Sequence, residues 1–142
     1  METAKEGRIW QAAGAAAVVG GAAFLVRVVL LYGMAYADAS ALSLGLAASF
    51  MMLAGVAAFV GGRALSAMAS GIGSRELSLW GVLAVAGLIG GTATVLFAYR
   101  QSIRGSIPTF DDLAVALAGS FIVMVGMMAL LGQRIMKHAT RK

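Results

Sequence analysis

Residues 46–63 read LAASFMMLAGVAAFVGGR, and residues 117–134 read LAGSFIVMVGMMALLGQR. Leu, Ala, Ser, Phe, Gly, Ala, Gly and Arg stand at the same places in both. A second echo precedes each copy. Trp10 lies ten residues before Gly20-Gly21, and Trp80 lies ten before Gly90-Gly91. Two apolar segments, repeated once at a spacing of about seventy residues, predict a duplicated transmembrane hairpin.

Composition agrees with lipid as the solvent. Of 142 residues, 61% are hydrophobic and 12% are charged, where a soluble domain carries roughly a quarter charged. Mean hydropathy is +0.90. Four stretches have the roughly 20 residues needed to cross the hydrocarbon as a helix: Ile9–Tyr32, Ala41–Gly62, Leu77–Tyr99 and Leu113–Gly132. They are apolar on all faces, as lipid-embedded helices are. The expected fold is therefore all-α and integral to a membrane. Its four transmembrane helices form two tandem parallel-repeat hairpins, a single small-residue-packed bundle over residues 1–142. The first repeat covers about residues 9–63, the second about 77–134, and a basic tail covers 134–142. Gly33–Ser40 reads as a tight turn. Arg63–Glu76 reads as a longer connection, with Ser74 as N-cap of the third helix. Thr109 and Asp112 have capping-box spacing before the fourth.

Eight of the eleven basic residues fall on one side of this topology: Lys5, Arg8, Arg63, Arg75, Arg134, Lys137, Arg141 and Lys142. The positive-inside rule places that side, and both termini, in the cytoplasm. Because each repeat holds two helices, both copies insert the same way round, unlike the inverted repeats of many transporters. The Ala- and Gly-rich composition points to a bacterial cytoplasmic (inner) membrane. Ala35-Tyr36-Ala37 before Asp38 offers an alternative, a signal peptide cleaved after Ala37. Against it stand the length of the apolar region, Arg27 within it, and the acids Glu2 and Glu6 at its start. The pI near 10.3 does not indicate nucleic acid, because the basic residues cap segments and form no patch with aromatics.

Arg27 is the one charge inside an expected span, and an intramembrane arginine is a functional hypothesis by default. Its depth, roughly 8 Å below the outer edge at about 1.5 Å per residue, allows its guanidinium to snorkel to the headgroups. The sharper reading is that it binds an anion or a lipid phosphate. Ser49, Thr94 and Ser120 lie at similar depth and form with Arg27 a candidate intramembrane polar layer. The blander reading gives each hydroxyl to its own helix. Small residues every fourth place, as in Ala13-Ala17-Gly21, Ala54-Ala58-Gly62 and Gly87-x-x-x-Gly91, predict close helix packing. Gly21, Gly55, Gly87, Gly91 and Gly126 are the expected contact points. Arg134, Lys137, Arg141 and Lys142 are expected to sit on lipid headgroups.

The missing chemistry is equally informative. No cysteine is present, which excludes disulfides and thiolate sites. Every carboxylate lies outside the expected spans, so the acid that proton-driven carriers and rotor rings require has no representative. One histidine, His138, is too few for an acyl-transfer triad. Nine methionines raise a Cu(I) reading, but Met51 and Met52 align with Ile122 and Val123, the behaviour of gap-fillers. The expectation is a non-enzyme with no metal or other cofactor. It would be a structural or accessory membrane protein that assembles with itself or with a larger membrane complex. The alternatives are a small oligomeric channel or carrier using Arg27, and a holin-like pore former.

Overall fold

The computed structural model describes residues 2–32, 39–103 and 110–140, and every described element is helical. The helices are α1 (Glu2–Tyr32), α2 (Ala39–Ser70), α3 (Ser74–Ile103) and α4 (Phe110–Thr140). All four are long and apolar enough to cross a membrane. With 31 residues, α1 runs about 46 Å, well beyond the roughly 30 Å of hydrocarbon.

Several helix boundaries differ from the sequence expectation, among them the start of α1 at Glu2 rather than Ile9. The connection drawn from Arg63 shrinks to Gly71–Gly73, because α2 continues through Ala64–Ser70. That segment, ALSAMAS, contains no breaker and is rich in good helix formers. Gly71, at φ +77°, ends it. The Gly71 N–H donates to the Ala67 carbonyl at 2.8 Å, an αL cap that spares a side chain the left-handed penalty. The Leu77 N–H donates to the Gly73 carbonyl at 3.1 Å, so Gly73 rather than Ser74 holds the N-cap position of α3. The basic segment from Arg134 is likewise not a tail: α4 runs through it to Thr140. The Thr109–Asp112 capping box and the Ala35–Ala37 cleavage motif lie outside the described residues, apart from the helical backbone at Asp112.

Packing follows a period of seven. Along α1, Gly7, Gly14, Gly21 and Val28 are buried; along α2, Ala48, Gly55 and Gly62 are. These two rows interlock antiparallel. A Cβ at Gly14 would stand 2.5 Å from the Gly55 carbonyl oxygen, and one at Gly55 would stand 2.7 Å from that of Gly14. Along α3 the buried row is Ala84, Gly91 and Ala98, and along α4 it is Gly119 and Gly126. Here a Cβ at Gly91 would meet the Gly119 oxygen at 2.7 Å, and one at Gly119 would meet that of Gly91 at 2.9 Å. Backbone touches backbone in both hairpins, which only glycine permits. A seven-residue period keeps such a seam facing its partner over many turns.

The hairpins join through α2 and α4. Phe50 meets Phe121 edge-on at 5.2 Å, and Val60 fills the space over Gly132. Ala64, Ala67 and Met136 form a buried cluster with Ile72, Leu77 and Trp80 packed around it. These contacts rise together along both helices, so α2 and α4 run parallel. Among the described residues α1 packs on α2 alone, giving a row of helices in the order α1, α2, α4, α3 rather than a closed ring. The side-chain distribution inverts that of a soluble protein. The interior is mostly glycine and alanine, with Ala84 fully buried, while Leu30 is 78% and Ile89 65% exposed.

Candidate functional site at the basic end

The helix ends that carry Lys5, Arg8, Arg63, Arg75, Arg134 and Lys137 also gather most of the described polar contacts between helices. In the first hairpin the Gln11 amide crosses the seam. Its Nε2 donates toward Ser66 Oγ at 2.9 Å, the Gly62 carbonyl at 3.3 Å and the Gly7 carbonyl at 3.3 Å. Gly7 and Gly62 let the backbones come close enough for this reach. Ser66, 8% exposed, is the one buried polar side chain among the described residues.

The second hairpin makes the same kind of clasp with the roles exchanged. Gln133 on α4 donates through Nε2 to the Leu77 carbonyl of α3 at 3.0 Å. The room for it comes from Gly81, where a Cβ would stand 2.5 Å from that nitrogen. Gln11 and Gly81 lie seventy residues apart, and Gly62 and Gln133 seventy-one. Glutamine thus comes from the first helix of one hairpin and from the second helix of the other.

An ion pair ties α2 to α3 beside the Gly71 turn. Arg63 donates from Nε to Glu76 Oε1 at 2.5 Å and from Nη2 to Oε2 at 2.6 Å, the two-pronged geometry that guanidinium and carboxylate favour. Phe59 lies beside it against Trp80, with ring centroids 6.4 Å apart. On α4, Arg134, Ile135, His138 and Ala139 line, with Met68 of α2, an open cleft of about 570 Å³. A second cleft of about 420 Å³ adjoins it, lined by Leu130, Gln133, Arg134, Lys137 and His138.

The residues expected to form a polar layer are each placed separately. Ser49 donates to the Gly45 carbonyl at 2.8 Å, Thr94 to that of Gly90 at 2.7 Å, and Ser120 to that of Ala116 at 2.9 Å. Each hydroxyl is spent on its own helix. Arg27 is exposed on α1, and no described hydrogen bond joins any two of the four. The five glycines expected at helix contacts all lie at close approach: a Cβ at Gly21, Gly55, Gly87, Gly91 or Gly126 would come within 3 Å of a neighbouring helix. Arg134 and Lys137 are exposed, while Arg141 and Lys142 lie outside the described residues.

Gln11, Gln133, Gly14 and Gly119 were not expected from the sequence, and Gly62 only as part of a row of fours. The available signal was the seven-residue spacing of small residues, which a search for fours conceals, together with the single amide near the basic end of each hairpin. Comparison with protein-family models, with curated proteins and with solved structures finds no match.

Proposed function

We propose that this chain is a structural or accessory protein of a bacterial cytoplasmic membrane, with both termini in the cytoplasm, that assembles with itself or with a larger membrane complex. The observation that carries this reading is the inverted side-chain distribution. Gly and Ala fill the seams, and large apolar residues cover the outside of all four helices. Such a surface needs lipid or other apolar helices around it. Where the hydroxyls of Ser49, Thr94 and Ser120 return to their own helices and Arg27 faces outward, the described residues supply no shared polar lining for a solute path. The tandem duplication of a hairpin is supported by the register of the two seams. The α1 row maps onto the α3 row by one offset, and the α2 row onto the α4 row by another one residue longer.

The test is the mass of the native complex in mild detergent, by light scattering without crosslinker. A defined assembly of more than one chain, unchanged by Arg27→Gln, is the expected result. A monomer that conducts ions or solutes in vesicles, with Arg27→Gln abolishing the flux, would replace this reading by that of a channel or carrier. Collapse of the membrane potential on overexpression would favour a pore former.

A further inference from the structure

The α2–α4 interface pairs one residue with its own counterpart. Phe50 and Phe121, seventy-one apart in sequence, are in direct ring contact. Such a meeting is what a two-fold axis along the parallel helices α2 and α4 produces, and the relation is partial, since Val60 packs over Gly132 while nothing lies within 4 Å of a Cβ at its counterpart Gly61. The relation makes a definite demand. Arg63 and Phe59 of α2 correspond to Arg134 and Leu130 of α4. Glu76 and Trp80 of α3 correspond to Glu6 and Trp10 of α1. The Arg63–Glu76 pair, with Phe59 against Trp80, should have a mate in Arg134–Glu6, with Leu130 against Trp10.

The mate does not form. Among the described residues Arg63–Glu76 is the only ion pair, and Arg134 has no carboxylate partner. Trp10 is 49% exposed. The cause lies in the connectivity. The three-residue turn Gly71–Gly73 draws the start of α3 against the end of α2 and sets Glu76 beside Arg63. No such turn links α4 to α1. Arg134 is left on the shared wall of the two clefts, with His138 also on that wall and Lys137 three residues away on the same helix. Met68 and Ile135 extend the wall with apolar surface.

From this broken symmetry we infer that the Arg134 cleft is a binding site for one anionic phospholipid. The filled half shows what the open half accepts: a two-oxygen anion for the guanidinium fork, next to an apolar group. A phosphodiester offers two free oxygens in that geometry, and its acyl chain runs past Leu130, one turn from Arg134 toward the hydrocarbon and on the same cleft. Two cations without a described acid suit an anionic headgroup, and basic pockets between membrane helices on the cytoplasmic side take such headgroups. The inference rests on the membrane placement proposed above.

The test uses the full chain in a mild non-ionic detergent, titrated with phosphatidylglycerol or phosphatidylcholine and read by native mass spectrometry. One phosphatidylglycerol is expected to stay bound, and phosphatidylcholine is not. Each basic residue near a membrane surface contributes enough for about a fivefold change in affinity. Arg134→Gln should therefore weaken phosphatidylglycerol binding about fivefold, and Arg134→Gln with Lys137→Gln about twenty-five-fold. Arg100→Gln, at the opposite end of α3, should leave it unchanged. Leu130→Ser should weaken it with every charge intact, which diffuse surface charge does not predict. Both basic side chains are exposed, and circular dichroism confirms that the variants keep their helices. Wild-type affinity in Arg134→Gln, an equal loss in Arg100→Gln, or displacement of the lipid by millimolar inorganic phosphate would overturn the site. Recovery of the chain in the aqueous fraction without detergent would overturn the membrane placement itself, and the site with it.

Discussion

Adding one methyl group at Gly14 should open the first hairpin. A Cβ there would stand 2.5 Å from the Gly55 oxygen and 2.5 Å from the Phe59 nitrogen. Both are backbone atoms of a continuous helix, so neither can rotate aside. Ordinary contact begins at about 3.4 Å, which asks α1 and α2 to part by about 0.9 Å. A gap of that size forfeits a quarter to a half of the dispersion energy of each atom pair across the seam. Overpacking a tight interior by a methylene costs roughly 1–3 kcal/mol. We therefore expect Gly14→Ala to lose about 2 kcal/mol, close to a thirtyfold shift in the unfolding equilibrium. Gly90→Ala is the control, because nothing lies within 4 Å of the new Cβ. Its effect should be neutral or slightly stabilising through helix propensity. The assay is reversible unfolding in mixed micelles of mild detergent and dodecyl sulfate, followed by the fluorescence of Trp10 and Trp80. Equal midpoints for Gly14→Ala and wild type, or equal losses in Gly14→Ala and Gly90→Ala, would refute the claim that backbone contact holds this seam.

Further outcomes follow from the polar contacts and the topology. Gln133→Ala should destabilise the second hairpin by about 1 kcal/mol, the usual worth of one interhelical hydrogen bond, and the same micelle assay reads it. Glu76→Gln should cost at most about 1 kcal/mol, because Glu76 is 37% exposed and water screens the pair. The exchange Arg63→Glu with Glu76→Arg should recover part of that loss, and a double-mutant cycle without coupling would show that the pair contributes nothing. The chain has no cysteine, so single cysteines at Arg75 and Asp38 can report sidedness. Labelling with an impermeant maleimide from outside intact cells is expected at Asp38→Cys and not at Arg75→Cys, and the reverse pattern would invert the topology.

The fold class was legible because it rests on gross quantities. Apolar runs of spanning length, few charges and scattered glycine define four helices whatever their neighbours are. The glycines of close approach were legible too, since Gly55 and Gly126 hold the same place in both copies. Helix ends were less so. Charge marks where a helix leaves the hydrocarbon, not where it stops, so Arg63 and Arg134 read as the start of a connection and of a tail although the helix continues past both. The seven-residue seam was hidden for a different reason. Alanines at every fourth place are so common here that rows such as Ala13-Ala17-Gly21 appear by composition, yet Ala13 is exposed. The Gln11 and Gln133 clasps depend on which residue faces which across the seam, and no single helix carries that information.

The exchanged glutamine and glycine have a consequence for how the chain avoids misassembly. Two hairpins of near-identical register could trade partners, α1 lying on α4 and α3 on α2. The right pairings set an amide against an empty place twice, Gln11 with Gly62 and Gln133 with Gly81. The wrong ones would force Gln11 against Gln133 in one seam and leave Gly81 facing Gly62 in the other, one overfilled and one hollow. Two residues per hairpin therefore act as a lock that only the native partner opens, a discrimination built from volume where the surrounding alanines and glycines offer almost none. Gly62→Gln with Gln133→Gly would transfer the key to the other pairing, and disulfide trapping between cysteines placed on α1 and on α4 would reveal the switch.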